Sequence, residues 1–156
     1  MSLESIIEVT SWVVMVILLL IFVPKTKFRD AQVIFLFHQT MTWFLGILVV
    51  ELRWLEYPVR FLAFAIRTSF TFEFFVFPAL AILFILKYPV AKGRLGRITY
   101  AVAFTTILTI FEVVLEKYTD LIEYHEWTWY WTWIAILVTF YVSRKYYNWF
   151  FKNRFN

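Results

Sequence analysis

The chain has 156 residues and a net charge of +4, and 62% of it is hydrophobic, well above the roughly one half expected of a soluble domain. It contains no cysteine and three glycines, which excludes disulfides, thiolate metal centres, cysteine nucleophiles and glycine-rich phosphate loops. Its basic residues cluster at the ends of apolar runs, the pattern of membrane-helix flanks and not of a nucleic-acid face.

Five apolar runs follow one another: Ile6–Val23, Ala31–Val50, Thr68–Tyr88, Ile98–Leu115 and Trp127–Val142. About 17–25 apolar residues in a helix cross roughly 30 Å of hydrocarbon. The runs therefore predict an all-α, polytopic membrane bundle occupying residues 1–156 as one domain, with helices over 6–23, 31–50, 68–88, 98–115 and 127–145. The first run is preceded by Glu4 and by no Lys or Arg, so it reads as a retained helix and not as a signal peptide. Thr128–Trp133 alternates as a barrel strand would, but Val13–Val23 and Ala79–Leu86 do not, and helices are preferred throughout.

Charge sets the expected orientation. Eleven basic residues (Lys25, Lys27, Arg29; Lys87, Lys92, Arg94, Arg97; Arg144, Lys145, Lys152, Arg154) fall on one side of the five runs. Four (Arg53, Arg60, Arg67, Lys117) fall on the other, among most of the acidic residues. The positive-inside rule then places the N-terminus outside and the C-terminus in the cytoplasm of a bacterial membrane. Trp127, Trp129, Trp131 and Trp133 at one end of the fifth run, and Tyr146, Tyr147 and Trp149 at the other, suit the two headgroup levels.

The second connector is the longest. Pro58 interrupts any helix there, and the apolar stretch Arg60–Arg67 is expected either to lie in the interface or to begin the third helix.

Ionisable residues within membrane spans are costly and mark function. Here they are Glu8, His38, Glu73 and Glu112, with Arg67 at a boundary. Thr105, Thr109, Glu112 and Glu116 form one polar face of the fourth helix, and a continued helix would extend it through Asp120 and Glu123 as an acidic funnel. Crowded carboxylates there favour a bound proton or cation. Pro78 cannot donate to the carbonyl of Phe74, which leaves an acceptor near Glu73 for a neighbour or a ligand. Arg67 is the cation available to Glu112 or to a headgroup. His38 reads as a satisfied structural histidine, and His125 belongs to the fourth connector. The expected topology puts these two histidines on opposite sides, so they are not expected to share a metal within one subunit; the sequence leaves a metal site undetermined, and no cofactor is expected. Thr128, Thr132, Ala135, Thr139 and Ser143 form a small-residue packing face on the fifth helix.

Four stretches are similar to one family: Tyr57–Arg60; Thr71–Pro78 and the aliphatic run after it; Lys92–Arg97; and Phe111-Glu112 with Tyr124-His125-Glu126-Trp127. Over roughly residues 45–150 the chain resembles a family of small integral membrane proteins from endospore-forming Gram-positive bacteria. In that family a Phe-Glu pair accompanies a Tyr-His-Gly-Trp-like turn. Glu126 replaces the glycine here; if that glycine serves a left-handed backbone position, the turn in this chain must differ. The resemblance implies a multi-helix membrane fold, in the cytoplasmic or a spore membrane, and no activity.

Three functions stay open, in this order. One is a non-enzymatic membrane component that packs with itself or with a partner membrane protein. Another is a small cation- or proton-linked channel or carrier built on Glu112 and Glu73, with Glu116, Arg67 and His125 contributing. An enzyme acting on lipid comes last, with His125, Glu112, Glu116 and Asp120 as its only conceivable set.

Overall fold

The computed structural model describes residues 2–152; Arg154, counted among the basic residues above, lies outside them. Five helices dominate: α1 (Leu3–Phe22), α2 (Phe28–Glu51), α3 (Phe77–Leu86), α4 (Arg94–Tyr118) and α5 (Trp129–Phe150). A π-helical stretch, Phe70–Val76, leads into α3. Leu3–Phe22, Lys25–Glu51 and Arg94–Tyr118 are long and apolar enough to cross a membrane, whereas Phe70–Leu86 is apolar but shorter. The interior of α5 is diluted by Thr132, Thr139, Ser143 and Arg144.

The local causes are legible. Ser2 caps α1 through the amide of Ser5 at 3.2 Å. Pro24 follows the last turn of α1, which cannot continue through it. Thr119 is fully extended and ends α4. Asp120 and Glu123 therefore leave the helix, and the acidic funnel expected along a continued α4 is not built.

The second and fourth connectors meet at one end of the bundle. Two short strands, β1 (Leu55–Glu56) and β2 (Glu123–Tyr124), pair antiparallel, with Leu55 opposite Tyr124 and Glu56 opposite Glu123. The amides of His125, Glu126 and Trp127 all converge at 3.0 Å on the carbonyl of Trp54. The left-handed positions in this region are Arg53 and Leu62, and Glu126 is not among them.

Residues 60–67 are neither an interfacial helix nor the start of the third helix. They coil around Arg60, whose guanidinium donates to the carbonyls of Tyr57 (2.7 Å), Ile66 (2.8 Å) and Ala63 (3.2 Å). Glu8 of α1 fastens this loop: its Oε1 accepts from the Phe61 amide (3.1 Å) and the Thr71 hydroxyl (2.9 Å).

Two apolar cores lie along the bundle. Phe84 and Phe140 pack with Tyr100 and Phe104 near the basic end. Met15, Leu55, Phe72 and Leu121 pack toward the connector end. The α5 stripe faces protein, with Thr132, Thr139 and Ser143 buried, while Tyr141 on the opposite face is exposed.

Candidate functional site

The π-turn sets the position of Glu73. In an α-helix Pro78 would donate to the carbonyl of Phe74, and in π register to that of Glu73; lacking an N–H it serves neither. Side chains of α2 serve both. Gln39 Nε2 donates to the Phe74 carbonyl at 2.8 Å, and the Thr42 hydroxyl reaches the Glu73 carbonyl at 2.8 Å. Such π-turns are frequent at functional sites. The freed acceptor that the sequence indicates at Phe74 is thus taken by a neighbouring helix.

Glu73 and Glu112 line one cavity of about 90 Å³, together with Tyr57, Gly46, Thr132 and His38. Each carboxyl group is held by one oxygen. Tyr57 donates to Glu73 Oε1 at 2.9 Å. Tyr124 donates to Glu112 Oε1 at 2.6 Å, and the Thr132 hydroxyl donates to the same oxygen at 2.8 Å. Trp127 Nε1 donates in turn to Thr132 Oγ1 at 2.8 Å. Burial, followed by the charge of the glutamates beside them, holds the Tyr57 and Tyr124 phenols above the ordinary tyrosine range, so both remain donors. Both Oε2 atoms are left without a protein hydrogen bond among the described residues.

His38 closes the cavity toward the basic end. Its ring is fully buried, and Nδ1 lies 2.7 Å from Ser143 Oγ. Nε2 has no partner among the described residues, so the histidine is only half satisfied there. A second cavity, of about 190 Å³ and mostly apolar lining, meets Glu112 and Tyr57 from the side of α1.

Gly46 makes room for Glu73. A Cβ built there would stand 3.0 Å from Glu73 Cγ and 2.7 Å from Thr68 Oγ1.

The remaining sequence candidates are elsewhere. Arg67 forms no ion pair with Glu112 or Glu73; it lines a separate cleft with Arg53, Glu56 and His125. His125 Nε2 lies 3.6 Å from Glu56 Oε1, and among the described residues no hydrogen bond joins its ring to Glu112. The set His125, Glu112, Glu116 and Asp120 is therefore not assembled. Glu116, one turn beyond Glu112, is not among the residues lining either cavity.

Glu56, Glu123 and His125 do converge, offering ligand atoms within 4.8 Å of one another, all exposed. Their spacing suits a divalent cation, although three arginines share the cleft. Sequence reading did not group these three, because the strand pairing that gathers them is two residues long.

Sequence reading also passed over Asp30, which is buried at the basic end between Lys27 Nζ (3.0 Å) and the Tyr147 hydroxyl (2.8 Å). Nor did it give Tyr57, Tyr124 or Gly46 a role at the carboxylates. Gly46 carried a signal, being the one glycine inside an apolar run.

No protein-family model, curated protein or solved structure matches the chain.

Proposed function

We propose that this chain is a small five-helix protein of the bacterial cytoplasmic membrane that binds a proton or small cation between Glu73 and Glu112, as a carrier or channel. One observation carries the reading: two carboxyl groups line one cavity, each held through Oε1 and neither Oε2 hydrogen-bonded among the described residues. Carboxylate, hydroxyl and carbonyl oxygens are the ligands that hard cations take. The unpartnered Nε2 of His38 gives the same cavity a polar group on its opposite side. The π-turn at Glu73, with its carbonyls held by α2, is the kind of local helix distortion that lines sites in transport proteins.

The packing component that leads on sequence grounds accounts for the small-residue stripe of α5. That stripe packs within the chain, and no packing role calls for two carboxyl groups facing one space. The enzyme reading lacks its residue set.

The proposal includes a topology with the N-terminus outside and five crossings, supported by the gathering of acidic connectors at one end and basic residues at the other. Single cysteines at Ser2 and Lys152 should then label from opposite sides of the membrane.

The functional test uses dicyclohexylcarbodiimide, an apolar reagent for buried carboxyl groups. Mass spectrometry should find it on Glu73 or Glu112, and sodium, potassium or calcium should slow the labelling. Proteoliposomes should take up the protecting ion, or protons, at a rate lost in Glu112→Gln. If no ion protects and no uptake occurs, the packing component is the better reading.

A further inference from the structure

We infer that the basic end of the bundle carries a binding site for the phosphate-bearing headgroup of an anionic phospholipid, formed where Arg94 and Arg97 of α4 meet Arg144 and Lys145 of α5. These four side chains line one cleft of about 390 Å³, with no acidic residue in its lining. Among the described residues, none of the four has a carboxylate within ion-pair distance; the pairs present are Lys27–Asp30 and His125–Glu56.

Convergent like charges repel, and the arrangement is held by other means. Arg97 Nε donates to the Lys92 carbonyl at 2.9 Å. The Arg144 guanidinium lies 3.4 Å from the centre of the Tyr88 ring, and Lys145 Nζ lies 5.4 Å from that of Tyr141. These contacts position Arg97, Arg144 and Lys145 without neutralising them, so most of the cleft is organised for an anion before one arrives. The cleft also lies at the start of α4, a 25-residue helix whose dipole is positive at that end. Guanidinium groups match phosphate oxygens through paired N–H donors, which makes phosphate the best-fitting anion.

Lipid, and not a soluble phosphate, is the favoured source because of what adjoins the cleft. Leu95 and Ile98 on α4, and Tyr141 and Val142 on α5, are exposed apolar side chains at the same helix ends. They give acyl chains an apolar path beside the bound headgroup. Basic pockets between membrane helices take anionic headgroups on this physical basis.

The test follows thermal unfolding of the full chain in a neutral detergent, with added phosphatidylglycerol, phosphatidylcholine or inorganic phosphate. Phosphatidylglycerol should raise the midpoint saturably and phosphatidylcholine should not. The triple variant Arg94→Gln/Arg97→Gln/Lys145→Gln should lose at least about tenfold in apparent affinity for phosphatidylglycerol. All three positions are exposed, so the fold should persist. If the triple variant does not fold, Arg94→Gln alone carries the comparison, with a loss of about threefold or more expected. Equal responses to the two lipids, or a variant that keeps the full response, would overturn the site. Inorganic phosphate giving the same protection, with the same sensitivity to substitution, would overturn the lipid assignment in favour of a soluble anion. Neither result bears on Glu73 and Glu112, which lie outside this cleft.

Discussion

Gly46 and Glu73 are packed so closely that a single methyl group on the glycine would stand 3.0 Å from Cγ of the glutamate. The glutamate crosses α2 at that point on its way to the cavity. Alanine at position 46 gains about 1 kcal/mol in helix propensity. Against that, overpacking costs about 1–3 kcal/mol. Gly46→Ala is therefore expected to lower stability by up to about 2 kcal/mol and to change carbodiimide labelling at Glu73. A stabilised variant with unchanged labelling would show that the glutamate can move aside freely.

Glu112→Gln keeps the shape of the side chain and an oxygen to accept from Tyr124 and Thr132. It should leave the helical content intact and abolish any dependence of the unfolding temperature on added cation. Tyr124→Phe removes one donor at 2.6 Å and leaves the carboxyl group. It should retain a cation response, with overall stability reduced by about 1–3 kcal/mol. An unchanged cation response in Glu112→Gln would place the ion elsewhere.

The π-turn depends on α2. Gln39→Leu strands the Phe74 carbonyl, and Thr42→Val removes the hydroxyl beside the Glu73 carbonyl. Each should cost about 1–3 kcal/mol in thermal or denaturant unfolding. Because both serve one turn, the double variant should depart from additivity by 0.5 kcal/mol or more, as is roughly typical of coupled neighbours. Strict additivity would mean that the two contacts act independently.

Glu8 and Arg60 hold the loop over residues 60–67 from its two sides. In Glu8→Ala the Phe61 amide and the Thr71 hydroxyl lose their acceptor; in Arg60→Gln three carbonyls lose their donor. Phe61 and Phe64 are exposed and suit chymotrypsin. Both variants should be cut there several times faster than the unaltered chain. Cleavage at the unaltered rate would show that the loop does not rely on either side chain.

Sequence alone determined the helical bundle, because each apolar run is a local property that needs no knowledge of its neighbours. It also singled out Glu8, His38, Glu73 and Glu112, since a charged or polar residue within an apolar run stands out whatever it touches. It marked the backbone acceptor freed by Pro78 for the same reason: a missing N–H is a property of one residue. The partners were decided by tertiary structure. Tyr57 and Tyr124 sit in connectors whose meeting depends on the pairing of Leu55 with Tyr124, and no periodicity within either segment encodes that pairing. Arg67 was the natural partner for Glu112 by charge, yet the coil around Arg60 places Arg67 in a separate cleft and leaves hydroxyl groups to hold the carboxyls. The acidic stripe drawn along a continued α4 failed because helical periodicity cannot foresee where a helix stops; Thr119 ends it, and Glu123 joins Glu56 and His125 instead. That Glu73 and Glu112 share one cavity was settled only by the packing of the π-turn with α2, α4 and α5, which brings together side chains that lie 39 positions apart in the chain.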